Sequence, residues 1–459
     1  MRAGAATAAL LLVIAGSIGR AVWGSPEAAA AAAGLLLYLL LEGRGANRKG
    51  RIMLALGGLA AIAALLTLPA APALLLKAAT EAAAIIGLFT ALGFLREAAE
   101  TSGLVQRCGE WMVRQPPGRR YAVLTLGSHV ISLVLNFGVL SLLGIMVAKG
   151  NTVEAAGGEP RIVAIRSRRM LSAILRGFAL MTVWSPLSVS FAVVQTAVHG
   201  LAWQVLLPLQ GGLAVLLLLL GWWVDRLEFP ASSRRFGPGE PGAWLPLLHL
   251  GGVIAAIVAA AMLAAEMASV RMVIGAMIVV PPAALVWLAV QRRGLVSAGR
   301  DLGRRLLSSL PGFRNEAAML GGAMFLGIVV SAFIPPAATA RAIGALGLPA
   351  PLLLVALALG VMILAQFGVS QIISVTLIGG ALSDLQNLGL HPLAVASGLM
   401  GAWALSACST PVGAAVLTVA RIGEVPVLQV ARQWNGTFVL GGAALLSLWL
   451  IFLGEILGH

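Results

Sequence analysis

The chain has 459 residues, of which 59 % are hydrophobic and only 10 % charged, and its mean hydropathy is +0.97. Soluble domains carry about 25 % charged residues, and apolar runs near the roughly 20 residues that cross a bilayer recur throughout, so a soluble domain is excluded; an outer-membrane barrel, which needs short alternating strands, is excluded too. The formal charge of +14 then reads as a topology signal rather than a nucleic-acid surface, while two distant cysteines and five scattered histidines form neither a disulfide framework nor a metal site.

Met1-Arg2 and the apolar run to Val22 resemble a signal peptide. Because the run is long and its flank Gly24-Ser25-Pro26-Glu27-Ala28 carries no clear cleavage site, the segment reads as a first transmembrane helix. Apolar segments then fall at 4–24, 28–41, 52–76, 78–95, 121–147, 170–198, 201–224, 244–265, 270–290, 317–339, 350–382, 391–419 and 432–457. Thirteen crossings would place the basic loops 96–120 and 148–169 on opposite sides, against the positive-inside rule. If 121–147 enters and leaves from the cytoplasm as a hairpin, and 350–382 does the same from outside, the loops agree. Of the 31 Lys and Arg, 26 then lie inside and only Arg20, Lys77, Arg271 and Arg341 outside. Arg176 would snorkel from near the cytoplasmic start of its helix.

The expectation is therefore an all-α polytopic protein of a bacterial-type inner membrane, with eleven spans, two re-entrant hairpins, a cytoplasmic N-terminus and an external C-terminus. Residues 97–118 would form an interfacial helix. The polar, Pro- and Gly-rich linker 225–243 separates a first helix (1–27) and repeat one (28–224) from repeat two (244–459). Each repeat holds five spans and a hairpin, so the repeats are inverted.

The duplication is visible in the residues. Residues 178–188 read FALMTVWSPLS and 403–413 read WALSACSTPVG; upstream lie NFGV at 136–139 and QFGV at 366–369. Pro186 and Pro411 cannot donate a backbone bond and disfavour helix in the preceding residue, so both helices should unwind there. Unwound backbone at membrane depth is tolerated where it lines a cavity, with half-helix N-termini suited to anions and C-termini to Na⁺. The candidate substrate groups are Asn136, Ser185, Pro186, Ser188, Gln366, Ser409, Thr410 and Pro411. Candidate ion-coupling groups are Asn136, Ser141, Thr182, Ser370, Ser406 and, more weakly, His129; Ser190, Gln371 and Ser374 are further polar neighbours. No carboxylate occurs in these elements before Asp384 and no Lys or Arg near the tips or breaks, which favours a small anionic substrate over a cation. His129 reads as a hydrogen-bonded structural histidine or a proton relay, Glu81 as a local ion pair with Lys77 one turn earlier, and Trp184 and Trp403 as pocket walls or packing.

This layout resembles the ion transporter superfamily, which includes divalent anion/sodium symporters, citrate transporters, arsenite-pump-like proteins and aminobenzoyl-glutamate-type transporters. The Ser-Asn-Thr motifs of the divalent anion/sodium symporters are absent. In their places stand Leu135-Asn136-Phe137, Trp184-Ser185-Pro186, Gln366-Phe367-Gly368 and Ser409-Thr410-Pro411. The resemblance implies a homodimer with an elevator mechanism; no cofactor is expected, apart from Na⁺ as a coupling ion, and no enzyme activity. The functional expectation is a secondary transporter of a small, organic anion. An oxyanion exporter or uniporter on the same fold is the alternative; a polytopic membrane enzyme is remote, because no acid–base pair or metal cluster faces the membrane surface.

Overall fold

The computed structural model describes residues 2–24, 26–230, 244–335, 341–342, 345, 347–382 and 389–457. The described chain is helical, without strands, and eleven of its helical elements are long and apolar enough to cross a membrane. These eleven are the spans read from the sequence.

The chain begins with α1 (Arg2–Trp23), followed by α2 (Pro26–Glu42), α3 (Arg48–Thr67) and α4 (Ala71–Glu100). Pro69 stands between α3 and α4 and ends the first of them early, so the sequence boundary at 76–78 moves to 67–71. The amphipathic α5 (Gly103–Val113) lies within the interfacial segment expected at 97–118. Then come α6 (Pro117–Leu135) and α7 (Gly138–Gly150), joined by the short turn at Asn136-Phe137, and α8 (Pro160–Trp184), α9 (Val189–Ala197) and α10 (Trp203–Glu228).

The second half follows a similar order, except that its amphipathic helix precedes the third long helix instead of following it. After α11 (Leu245–Met267) and α12 (Met272–Arg292) runs α13 (Leu295–Ser309). Sequence reading treated 291–316 as a basic loop; its charges in fact occupy one face of a short amphipathic helix, with Ala298, Leu302 and Leu306 buried on the other. A π turn at Ala317–Gly321 leads into α14 (Gly322–Ser331). Helices α15 (Ala350–Gln366) and α16 (Gln371–Ala381) match α6 and α7, and α17 (Pro392–Ser409) and α18 (Ala414–Ile422) match α8 and α9. A π turn at Gln429–Trp434 precedes α19 (Gly436–Leu457). Most of the linker, residues 231–243, and Asp384 lie outside the described residues.

Short second arms make the hairpins. With 13 residues in α7 and 11 in α16, and a rise of 1.5 Å per residue, each arm reaches only about 20 Å or less, short of the roughly 30 Å hydrocarbon core. The enclosed elements are α4 and the α8–α9 pair, with 94 % of their apolar stretches buried, against 17 % for α3 and 22 % for α11. The peripheral helices turn residues such as Leu40, Leu66 and Leu440 outward, as a lipid-facing surface requires.

Contacts sort the helix ends into two groups. At one end Arg2 and Arg314 pair with Glu42, Asn47 binds Asn315, Thr101 binds Gln291, Arg226 reaches Gly118 O, and Arg168 and Arg169 pair with Glu228 and Asp225. At the other, Arg20 and Arg271 meet Glu81 and Gln204 meets Glu266. The first end gathers the Arg-rich loops, as the charge count required.

Candidate functional site

Each hairpin packs against the broken helix of its own half: α6 on α8 and α15 on α17. In the first half the two backbones meet at Gly177, where a Cβ would fall 2.3 Å from Thr125 O and 3.1 Å from His129 N; no larger residue allows that approach. Beside it His129 Nδ1 donates to Gly177 O at 3.1 Å, and Trp184 Nε1 donates to His129 Nε2 at 2.9 Å. Trp184 is thus tied to the hairpin. At the tip, Phe137 packs on Phe178 with ring centroids 4.8 Å apart. Asn136 adopts φ 48° and ψ −126°, a positive-φ turn conformation outside the left-handed helical region. Its side-chain amide has no hydrogen-bond partner among the described residues and is half-buried.

The break between α8 and α9 is closed. Ser185 N still donates to Met181 O, and the Ser185 hydroxyl accepts from Leu187 N. Ser188 caps α9 by accepting from Phe191 N and donates to Ser185 O, while Ser190 Oγ donates to Thr182 O and lies 3.0 Å from Ser188 Oγ. Thr182 itself donates to Ala179 O. Ser185, Pro186, Ser188 and Ser190 are fully enclosed. The hydroxyls that sequence reading assigned to a ligand therefore satisfy the broken backbone, as buried polar groups must.

The second break is open. Gly413 stands where Ser188 stands in the first half and gives α18 no side-chain cap, so its first-turn N–H groups keep their partial positive charge unspent. Val412 and Ala414 are exposed. The second tip sits directly on this break: Gln366 Nε2 donates to Ser409 Oγ at 3.0 Å, and Gly368, at φ 87°, would place a Cβ 3.3 Å from Val412. Gln371 Nε2 donates to Trp403 O at 3.1 Å. The Ser406, Ser409 and Thr410 hydroxyls donate to the carbonyls of Ala402, Leu405 and Ser406; Ser409 Oγ also accepts from Gln366, and Ser406 is fully buried. Phe367 at the tip is 81 % exposed, and its counterpart Phe137 45 %. Of the remaining candidates, Ser141 and Ser370 make no side-chain hydrogen bond among the described residues, and Ser374 Oγ is buried without a partner.

The two breaks do not adjoin. Gln210 donates to Val183 O at 2.9 Å and accepts from Ser397 Oγ at 2.6 Å, which sets Val183 level with Ser397; Thr410 lies a further thirteen residues along the α17 line, or about 20 Å of helix. The second arms complete the arrangement crosswise. α7 rests on α18, with Gly144 under Ile422, and α16 rests on α9, with Gly379 against Ala197.

Two assignments made from sequence are corrected. Arg176 does not snorkel: it is 2 % exposed, donating to Asn435 Oδ1, Trp434 O and the Tyr121 hydroxyl and lying over the Phe438 ring at 4.9 Å. Helix α8 carries it into the interior, where the loop before α19 supplies the acceptors. Glu81 pairs not with Lys77 but with Arg20 at 3.2 Å and Arg271 at 2.9 Å, because it faces α1 and the start of α12. Among the described residues no group of His, Cys, Asp or Glu could hold a metal.

Comparison with known proteins adds fold-level information. No protein-family model matches the chain, and no curated protein sequence matches it. Among solved structures, the chain is similar to the YdaH transporter of Alcanivorax borkumensis, whose crystal structure revealed an unusual topology, with a TM-score of 0.53 and 15 % identity over 80 % of this chain and 86 % of that one. The chain is an all-α polytopic membrane protein with a transporter-like fold.

Proposed function

We propose that the protein is a secondary active transporter of a small, organic anion, coupled to Na⁺ or H⁺. The observation that carries this reading is the open second break: an uncapped half-helix N-terminus at Gly413, with Gln366, Ser409 and Thr410 beside it. A neutral site of amides, hydroxyls and an aimed helix dipole favours a carboxylate-sized anion over a cation. Gln366, Ser409, Thr410 and Pro411 form its core. Asn136, with its free amide, is the contribution of the first tip, and the carbonyl and hydroxyl groups at 136–141 and 366–370 are where a coupling Na⁺ would be held. Ser185 and Ser188 shape the first break.

The crosswise hairpins, short second arms and doubled broken helices fit two inverted repeats and the elevator-type transporters of the ion transporter superfamily. That reading carries with it a homodimer in the inner membrane, with the Arg-rich end in the cytoplasm. Uptake of radiolabelled small carboxylates into proteoliposomes, under an imposed Na⁺ or H⁺ gradient, tests the reading. Accumulation that follows one gradient and is lost in Thr410→Ala and Gln366→Leu is the expected result. Uptake indifferent to both gradients and to both substitutions would overturn it, and movement only down the anion's own gradient would favour the uniporter or exporter instead.

A further inference from the structure

A second polar site lies away from the hairpins. At the end of the bundle where α1 and α9 finish and α12 begins, a cavity of about 300 Å³ opens between α1, α2, α4 and α12, lined among others by Ser17, Arg20, Thr80, Glu81, Ser269 and Arg271. Arg20 and Arg271 each bind Glu81 through one Nη1 atom, and Arg271 Nη1 also lies 3.0 Å from Thr196 Oγ1 of α9. The other guanidinium nitrogens of both have no acceptor among the described residues.

Three features identify the chemistry of the missing partner. Two guanidinium groups face one carboxylate, so the cavity keeps one positive charge in excess, and Lys77 lies one turn from Glu81 on α4. Helix α12 starts at this cavity, with Arg271 at its N-terminal boundary and Ile274 in the wall, so the positive end of its dipole lies beside it. The third is independent of charge: Ser17, a residue of the cavity wall, is 4 % exposed, and its hydroxyl has no hydrogen-bond partner among the described residues. A buried hydroxyl without a partner costs free energy that an acceptor in the cavity would restore. Chloride would leave most of the volume empty. A tetrahedral oxyanion matches guanidinium forks and a hydroxyl beside the positive end of a helix.

We infer that this cavity binds a phosphate group, with Arg20, Arg271 and Ser17 as donors beside the positive end of α12. Glu81 holds the two guanidinium groups in place and limits the occupant to a low negative charge, as in a phosphodiester or monobasic phosphate. Such a group could come from an anionic phospholipid headgroup at the membrane surface or from free phosphate.

The full chain, purified and delipidated in an uncharged detergent, separates these sources. One arm counts phosphatidylglycerol retained per chain by native mass spectrometry, against phosphatidylcholine. The other follows melting temperature against inorganic phosphate, with acetate at equal ionic strength as control. Saturable binding of one probe or both is expected, weakened at least tenfold in Arg20→Gln and Arg271→Gln and about tenfold in Ser17→Ala, the loss of one charge-assisted hydrogen bond. Ser17→Ala leaves the ion pairs untouched and decides the matter if an arginine variant does not fold. No saturable binding of either probe, equal binding in Ser17→Ala, or stabilisation by acetate equal to that by phosphate overturns the inference. None of these outcomes depends on transport.

Discussion

Trp184 donates its indole N–H to His129 Nε2 across 2.9 Å, while His129 Nδ1 faces Gly177 O at 3.1 Å. An indole N–H can only donate and a carbonyl can only accept, so the imidazole is held neutral with its proton on Nδ1. A second proton on Nε2 would point at the indole N–H. His129 is therefore a strut between α6 and α8, and any proton coupling has to run through other groups. In proteoliposomes His129→Gln should keep the pH profile of wild-type uptake at a reduced rate; a profile flattened only in this variant would restore the relay.

The crosswise glycines differ in what they touch. A Cβ at Gly379 would meet Ala197 O and C at 2.6 and 2.8 Å, both backbone, whereas at Gly144 the nearest atom, at 2.7 Å, is the terminal Cδ1 of Ile422. Backbone cannot yield and a side-chain methyl can. Gly379→Ala should cost about 1–3 kcal/mol as an overpacked contact, while Gly144→Ala should be near neutral, its clash offset by the roughly 1 kcal/mol of helix propensity gained over glycine. Thermal unfolding of the two purified variants, side by side, checks the order.

The two breaks separate stability from transport. Ser188 caps α9, so Ser188→Ala should lower stability by about 1 kcal/mol and leave the affinity for a transported anion within about twofold. Gln366 bridges tip and break through one half-buried bond, and Gln366→Leu should melt near wild type yet lose most uptake. Parallel melting and uptake curves for the pair supply the comparison, and a reversed pattern would place the site at the first break.

Cys108, on α5 outside the spans, is pushed up to about 11 by burial from an ordinary 9.0. The folded protein thus holds the neutral thiol between these values while the unfolded chain ionises, so this group's contribution to stability falls as pH rises from 9 toward 11. At pH 7.5 iodoacetamide should leave Cys108 unmodified in the folded protein and label it in urea, as read by intact mass.

The breaks and tips were legible because proline and glycine act locally: Pro186 and Pro411 dictate an unwound turn whatever surrounds them, and the distribution of arginines revealed that 121–147 could not cross. What escaped the sequence depends on contacts far along the chain. Arg176 finds Asn435 259 positions away, and Glu81 finds Arg271 at 190; neither distance leaves a trace in local pattern. Helix α13 was hidden by its own arginines, which mask a short apolar face. The hydroxyls of Ser185, Ser188 and Ser190 were read correctly as polar groups at a break, but only rotamers decide whether an oxygen turns to a ligand or to its own backbone.

The seating of α7 on α18 and of α16 on α9 has a mechanical consequence. Neither hairpin owns a free arm: to swing one away from its broken helix would tear it from the terminal half-helix belonging to the opposite half of the chain. The four pieces are clasped like two interlocked hooks, so opening either tip from its own break also breaks packing on the other half.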